Sequence, residues 1–408
     1  MEEALGILLV GMLVGLSLLI HWALRGTRAP ALVGYLFLGF LLSATSVTWD
    51  FLTDRMVEQL DFLGRIGVVI LLFHVGLKSN LSSLLKQLRK ARSIWLGDVL
   101  VSGSAGYLTA YYLLDYSILA SLYIAAALTA TSVGVSVAIW KEANALDSTN
   151  GQTLVDVAEM DDISAVILMS LLLALTPSLQ DGPSDYVLPT ILRTSGELIG
   201  KLLLFGGFCY AFSRFAERPL TRFYERMKPM PDSMLMIVAT GFLIAAIAGL
   251  LGFSIAIGAF FAGLVFSRDP RAVTLTRPYT VLYDLLTPFF FISIGLHINP
   301  QVLTSALVVG IVLFAAAVFG KFVGAGGAAI RAVGCNGALL LGISMIPRAE
   351  IAMILMRQGQ EFGPTVVPAE AFGAMVFVSA TTCILVPLIL RPMLVRQRGR
   401  EQQEPGEQ

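Results

Sequence analysis

The sequence predicts an all-α protein with many membrane-spanning helices, and two observations lead to that prediction. Hydrophobic residues make up 56% of the 408 residues and charged residues only 14%, whereas soluble domains average about 25% charged residues. The hydrophobic residues also fall into long runs, each close to the roughly 20 residues that a helix needs to cross the hydrocarbon core. The chain is therefore predicted to be a polytopic membrane protein.

Glycine and proline residues separate the hydrophobic runs and mark where the chain turns. The first run is predicted to be a retained helix, because Met1, Glu2 and Glu3 precede it where a secretory signal would carry basic residues. About thirteen spans are predicted, at residues 4–24, 30–47, 58–78, 93–114, 117–139, 151–176, 187–215, 233–250, 254–268, 280–298, 302–329, 335–357 and 369–392.

The charges of the loops predict the orientation. Basic residues follow spans 1, 3, 7, 9 and 13, and acidic residues follow spans 2 and 6. With thirteen spans every basic loop falls on one side, which the positive-inside rule assigns to the cytoplasm. We therefore expect a cell (inner) membrane protein with its N-terminus outside and its C-terminus in the cytoplasm. A net charge of zero gives no indication of a nucleic-acid partner.

Two segments of the first half recur in the second half. Residues 34–39 in span 2 resemble residues 258–263 in span 9, and residues 75–80 at the end of span 3 resemble residues 294–299 at the end of span 10. The matching segments are offset by seven spans, an odd number, so the halves are predicted to have opposite orientations in the membrane. Two inverted repeats of six helices are typical of secondary transporters.

Span 6 carries charges at a depth where charges are costly. Counted from Gly151, Asp162 lies about 16 Å along the helix, near the middle of a core of about 30 Å. Asp161 points about 100° away from Asp162 and so addresses different neighbours. A carboxylate at this depth can hold a proton or an alkali cation, and that competition is the chemistry of an exchanger. Asp156 and Glu159 lie on the same face as Asp162.

Two further charged sites lie deep in the later spans. Lys321 in span 11 needs a buried carboxylate, and Asp161 is its predicted partner; snorkelling of Lys321 to the inner surface is the alternative. In span 12, Pro347 removes a backbone donor and is predicted to break the helix beside Arg348 and Glu350.

Span 5 carries hydroxyl residues at the position that corresponds to the break in span 12. Thr129, Thr131 and Ser132 could bind a cation, or they could satisfy backbone groups locally. A helical stripe in span 7, formed by Arg193, Glu197 and Lys201, is interpreted as structural.

The motifs taken together resemble the second branch of the monovalent cation:proton antiporters, the sodium/proton exchanger-like and Kef-type transporters. The segments that carry the resemblance cover nearly the whole chain and are, in order, residues 34–39, 71–77, 128–132, 161–162, 258–263, 289–296, 321 and 347–350. The sequence departs from the pattern at Asp156 and Glu159, and in reading Pro-Arg-Ala-Glu where Pro-Arg-Gly-Glu is common.

The resemblance implies a homodimer in which helices 5 and 12 are unwound and cross. It implies a dimer and gating domain at residues 1–92 and 233–300, a core ion-transport domain at 93–178 and 301–392, a linker helix at 179–232 and a short cytoplasmic tail at 393–408. No nucleotide-binding domain is expected in this chain.

The implied activity is exchange of a monovalent cation, with Na⁺ favoured over K⁺, for protons by alternating access. Asp162 would carry the ion, with Asp161 as a second cation ligand, while Thr129, Thr131, Ser132 and Glu159 are candidates to assist. Lys321, Arg348 and Glu350 would form structural ion pairs, Arg348 with Glu350 or with span 6. The paired aspartates and the lysine are similar to the electrogenic type, and the alternative is an electroneutral Kef-like potassium exchanger. No cofactor besides the transported ions is expected.

Two other classes of protein are considered. An intramembrane aspartyl protease also uses paired membrane aspartates, and residues 96–98 weakly echo a protease motif. A protease, however, places its aspartates on separate helices, whereas Asp161 and Asp162 are adjacent, so no enzymatic activity is expected. A channel or a sensor of the same fold is the second alternative, although the sequence has no ring of charged pore residues.

Overall fold

The computed structural model is all-helical in the residues that it describes and has thirteen helical spans there, which confirms the predicted fold class. It describes residues 2–24, 30–49, 51–78, 81–146, 148–181, 187–216, 219, 233–251, 255–266 and 276–403. Spans 1 to 4 are the helices Glu2–Leu24, Ala31–Trp49, Asp54–Lys78 and Leu81–Leu108, and span 5 is the broken pair Ile118–Thr129 and Val133–Glu142. Spans 6 to 10 are Thr149–Asp181, Val187–Ala211, Ser233–Leu250, Ile255–Phe266 and Thr276–Leu296. Span 11 begins with Leu303–Lys321 and continues into Ala328–Ser344, whose later part is the first half of span 12; Glu350–Glu361 is the second half of span 12, and Ala369–Gln403 is span 13.

Seven helical segments within the described ranges are long and apolar enough to cross a membrane, and three shorter apolar helices accompany them. One of the seven, Thr304–Ser344, holds 41 residues, about twice what one crossing needs. It contains span 11 and the first half of span 12, which meet at Gly334. The backbone there has φ 71° and ψ 173°, a conformation that glycine adopts at little cost.

The chain divides into two compact units. Unit 1 consists of Met1–Leu19, Tyr35–Ser83 and Ser170–His297, and unit 2 of Ile20–Gly34, Leu84–Met169 and Ile298–Gln408. Unit 2 holds most of spans 4 to 6 and all of spans 11 to 13. The predicted linker helix falls within unit 1 in the part of the chain that is described. The roles assigned to these domains remain predictions.

Unit 1 contains two equivalent helix crossings made by glycines of the repeated segments. Span 2 meets span 10 where a Cβ on Gly39 would overlap the backbone at Ile292, and one on Gly295 would overlap the backbone at Leu36. Small residues of this kind let helix backbones approach closely.

The second crossing joins span 3 to span 9 and repeats the same arrangement. A Cβ on Gly76 would overlap the backbone at Phe260, and one on Gly263 would overlap the backbone at Phe73. Because spans 2 and 9 are repeats of each other, as are spans 3 and 10, the two crossings correspond under the inverted repeat.

Both predicted helix breaks are present, and both lie in unit 2. Span 5 leaves the helical conformation at residues 130–132, where Ala130 has ψ 139° and Ser132 has ψ 96°. Span 12 does so at residues 345–349, on either side of Pro347. At one end of the unit, the Tyr116 hydroxyl donates to Glu370 Oε2 at 3.3 Å and connects the loop before span 5 to the start of span 13.

Candidate functional site

The two helix breaks contact each other directly, so unpaired backbone groups of one are satisfied by the other. Ser132 N donates to Pro347 O at 2.7 Å, and Thr131 Oγ1 donates to Met345 O at 3.2 Å. Nearby, Trp140 Nε1 donates to the Ser344 hydroxyl at 2.8 Å. A break in a membrane helix is tolerated only where such partners exist, and here the partners are the two breaks themselves.

Lys321 lies beside the breaks, with its ammonium between two carboxylates. Its Nζ is 2.6 Å from Asp98 Oδ2 and 3.0 Å from Asp161 Oδ2, and all three side chains are completely buried. Lys321 also donates to the Thr129 carbonyl. The three N–H groups of the ammonium therefore each have an acceptor, and the lysine does not snorkel to a surface.

Asp98 is the residue of this cluster that sequence reasoning missed. Its position in a span, in an apolar run, was itself a signal of function, but the sequence does not reveal which helix faces Lys321. The approach of spans 4 and 11 depends on glycines: a Cβ on Gly324 would lie 2.7 Å from Gly97 O, and one on Gly320 would lie 2.8 Å from Ser102 Cα. A π-helical segment at Phe322–Gly327 follows the lysine immediately, and such segments are frequent at functional sites.

Arg348 differs from its prediction. The sequence predicts an ion pair with Glu350 or span 6, but the completely buried guanidinium donates to main-chain carbonyls instead. Nη1 is 2.6 Å from Ile346 O, and Nη2 is 2.6 Å from Leu128 O. Leu128 and Thr129 are the last residues of the first half of span 5, so Arg348 and Lys321 place positive charge at the negative end of that helix.

Asp161 and Asp162 lie side by side in the helix Thr149–Asp181, and both are buried. Asp161 Oδ1 has no hydrogen-bond partner among the described residues, although its Oδ2 contacts Lys321. Asp162 is 6% exposed. Asp156 is half-buried on the same helix, and the side chain of Glu159 lies outside what the structure describes.

The hydroxyls of span 5 make different contacts. Thr129 Oγ1 donates to Ala126 O one turn earlier, at 2.8 Å, which is local back-bonding. Thr131 reaches the other break, as described above. Ser132 Oγ donates to Glu350 Oε2 at 3.3 Å, so Glu350 contacts the first break rather than the guanidinium. The sequence interpretation left local and site roles open, and Thr129 fits the local one.

Two pairs of charged or titratable residues in unit 1 make contacts of their own. Arg193 Nε and Glu197 Oε1 form an exposed pair at 3.0 Å, in keeping with a structural stripe in span 7. His297 Nε2 lies 3.4 Å from Asp61 Oδ2 at the end of span 10, and the Ser293 hydroxyl donates to Asp61 Oδ1 at 2.6 Å.

The described part of the chain has thirteen spans with paired glycine crossings, two broken helices in contact, and buried carboxylates beside a buried lysine. These features define a secondary transporter of small ions. A family model described as "Sodium/hydrogen exchanger, transmembrane" matches residues 3–396. The chain belongs to this family.

Individual relatives agree with the family assignment. The chain is 28% identical to the high-affinity Na⁺/H⁺ antiporter NhaS3 of Synechocystis, over 95% of this chain and 83% of the relative. It is also 28% identical to a Na⁺/H⁺ antiporter of Enterococcus hirae, over 89% and 91% of the two chains. Its fold is similar to that of the sodium proton antiporter MjNhaP1 from Methanocaldococcus jannaschii, with a TM-score of 0.70 and 15% identity over 97% and 99% of the chains.

Proposed function

We propose that this protein exchanges Na⁺ for protons by alternating access, with Asp162 as the carboxylate that carries the ion and Asp161 as its assistant. The buried Asp161–Asp162 pair beside two broken helices is the observation that supports this function most strongly. Carboxylate and carbonyl oxygens are hard ligands that suit alkali cations. The membership of the chain in the sodium/hydrogen exchanger family supports the same choice of ions.

The chemistry is a competition at one group. An ionised carboxylate is costly in a buried site. A proton or a cation bound to Asp162 neutralises that charge, and binding one excludes the other. Either ligand neutralises the carboxylate and lowers the cost of moving it past apolar surroundings. The site can therefore change the side to which it is open when it is loaded, which couples the two flows.

Asp161 adds a second carboxylate, one oxygen of which has no partner among the described residues. Two carboxylates can hold two protons but share one cation. We infer that Asp161 is also protonated in the proton-loaded state, with its Oδ2 still accepting a hydrogen bond from Lys321. It loses that proton before it binds the cation, so two protons leave for each cation and the exchange is electrogenic. The hydroxyls of Thr131 and Ser132, together with Glu159, are proposed to assist the cation.

The assay for this function is proton flux in sealed proteoliposomes with a pH dye inside. NaCl, LiCl or KCl is added at zero voltage and then with an imposed potential. A pH change that follows Na⁺ and responds to voltage is the expected result. A response to K⁺ alone, blind to voltage, would favour the Kef-like electroneutral exchanger, and a cation flux that ignores the pH gradient would favour a channel.

Asp162→Asn tests the assignment of the site. The variant keeps the shape of the side chain but cannot carry a proton or bind a cation by charge, so we expect exchange to fall to the background of empty vesicles. Asp115→Asn is the matched control, because Asp115 is exposed in the loop before span 5 and asparagine tolerates its positive φ of 57°. Normal exchange by folded Asp162→Asn would refute the assignment.

The remaining expectations complete the proposal. We propose a homodimer in the cell (inner) membrane, with the N-terminus outside and the C-terminus in the cytoplasm. The basic residues that follow spans 1, 3, 7 and 9 support this orientation. The protein is proposed to work with the transported ions alone, without a cofactor and without enzymatic activity.

A further inference from the structure

Asp98 is a buried ionisable residue that the proposed exchange does not yet use. It lies in span 4, its side chain is completely buried, and its Oδ2 is 2.6 Å from Lys321 Nζ. Its other oxygen, Oδ1, accepts a hydrogen bond from the Ser102 hydroxyl at 3.3 Å. A buried aspartate with both oxygens engaged is held in one position, and the group that it addresses is the ammonium.

Asp98 and Asp161 therefore both contact Lys321, but they do so unequally. The ammonium is 2.6 Å from Asp98 and 3.0 Å from Asp161. Both Asp98 oxygens are engaged, whereas Asp161 keeps one oxygen that is buried without a hydrogen-bond partner among the described residues. Asp98 is thus the fully committed partner of Lys321, and Asp161 is the partner with a free coordination position.

The sharing changes what it takes to turn Asp161 toward a cation. If Asp161 were the sole partner of Lys321, breaking their contact would leave a buried, unpaired ammonium, which is strongly unfavourable. With Asp98 in place, the ammonium keeps one carboxylate and the Thr129 carbonyl. Asp161 can then leave Lys321 without stranding the charge.

We propose that Asp98 is a positioning residue for cation exchange: it holds Lys321 when Asp161 turns from the ammonium to the transported cation. Asp98 thereby sets the cation concentration at which the site is half-saturated. This inference rests on the proposed function, because it assumes that Asp161 is a ligand of the transported cation.

The glycine contacts between spans 4 and 11 keep Asp98 and Lys321 next to each other. A Cβ on Gly324 would lie 2.7 Å from Gly97 O, on one side of the contact, and one on Gly320 would lie 2.8 Å from Ser102 Cα, on the other side. The two backbones approach closely on both sides of the Asp98–Lys321 contact. Both residues sit on packed helix backbone, so the ammonium stays with Asp98 when Asp161 changes its partner.

The experiment compares Asp98→Asn with the wild type in the proton-flux assay while NaCl is varied. Without the Asp98 charge, Lys321 has Asp161 as its one carboxylate partner, and Na⁺ must compete with a tighter pair. We expect the half-saturating Na⁺ concentration to rise by about tenfold or more, with a smaller effect on the maximal rate. The control is Asp115→Asn, the same chemical change in an exposed loop, which should leave both values unchanged.

A second comparison tests whether Asp98 acts by positioning Lys321 or by attracting the cation directly with its own charge. Na⁺ binding is measured in detergent, by the rise in melting temperature with NaCl, for Lys321→Gln and for Asp98→Asn/Lys321→Gln. If Asp98 acts through Lys321, its removal has little effect once the lysine is gone. A loss of Na⁺ affinity that persists or grows in the double variant would overturn the proposal. Loss of the Na⁺ response in Lys321→Gln itself would also overturn it, because removing the competing ammonium should leave Asp161 open to the cation.

Failure of the inference and failure of the proposed function give different results. A wild type that moves no protons with Na⁺, Li⁺ or K⁺ refutes the exchange itself. A wild type that exchanges, together with a folded Asp98→Asn whose half-saturation is unchanged, refutes only the role of Asp98. If Asp98→Asn does not fold, Ser102→Ala carries the test, since it removes the hydrogen bond to Asp98 Oδ1 and keeps the charge. It should raise the half-saturating Na⁺ concentration by about twofold to threefold, and no change would overturn the proposal.

Discussion

Arg348 is expected to stabilise the protein through main-chain carbonyls rather than through an ion pair, and its replacement by methionine tests this directly. Arg348→Met keeps a long flexible side chain and removes all five donors of the guanidinium. It deprives Leu128 O and Ile346 O, each at 2.6 Å from the guanidinium, of their donor. One of these carbonyls belongs to each broken helix, so the substitution weakens both breaks together.

The magnitude follows from the carbonyls left without a partner. A buried acceptor that loses its hydrogen bond costs about 1–3 kcal/mol, so two of them cost about 2–6 kcal/mol. The wild type bears the cost of burying a guanidinium, which methionine avoids, and this offsets part of the loss. We therefore expect Arg348→Met to lower the free energy of unfolding by about 2–4 kcal/mol.

Glu350→Gln is the matched comparison, since it removes the carboxylate that the sequence pairs with Arg348. Glutamine still accepts a hydrogen bond from Ser132, so we expect a change below about 1 kcal/mol. Tryptophan fluorescence during unfolding in mixed micelles measures both variants. If Glu350→Gln destabilises the protein as much as Arg348→Met, or if Arg348→Met is as stable as the wild type, the reasoning from the carbonyls is wrong.

Two further predictions concern packing and the end of unit 2. Gly263→Ala forces a methyl group onto the backbone at Phe73 and should lower the free energy of unfolding by about 1–3 kcal/mol; Gly200→Ala, with open space around it, should raise it by about 0.5–1 kcal/mol. Tyr116→Phe should cost about 1 kcal/mol near neutral pH. Burial, reinforced by Glu370, raises the pKa of Tyr116, so its contribution is complete below about pH 10 and declines as the unfolded chain ionises at higher pH. An unfolding series from pH 7 to 11 should show the difference between Tyr116→Phe and wild type shrinking, and a constant difference would contradict this.

The spans and both helix breaks could be predicted from the sequence because they depend on local properties. Pro347 lacks a backbone donor wherever it lies in a helix, and an apolar run of sufficient length has few alternatives to a span. The ends of the helices were less predictable. Span 4 was expected from residue 93, but its helix begins at Leu81, because a helix can continue into a polar segment that hydrophobicity does not detect. Span 6 was expected to end at residue 176, but its helix continues through Pro177 to Asp181.

The partners of the buried charges depend on which helix faces which, and the sequence alone does not contain that information. Lys321 required a carboxylate, and Asp161 and Asp98 were both available in apolar spans. Asp161 was the predicted partner because it lies in span 6 at a depth similar to that of Lys321 in span 11. Arg348 was expected to find a carboxylate as well. The main-chain carbonyls at the helix breaks accept its hydrogen bonds in place of a carboxylate. How many carbonyls face the guanidinium depends on the course of the backbone through the breaks, which the sequence does not give.

The glycine crossings of unit 1 have a consequence for motion. Helices that slide past one another in a shear movement do so by small changes among the side chains between them. At Gly39–Gly295 and Gly76–Gly263 the backbones touch without side chains between them, so the adjustable layer is missing at both places. Spans 2 and 10, like spans 3 and 9, are thus expected to travel as fixed pairs, and unit 1 to behave as a stiff frame through the transport cycle.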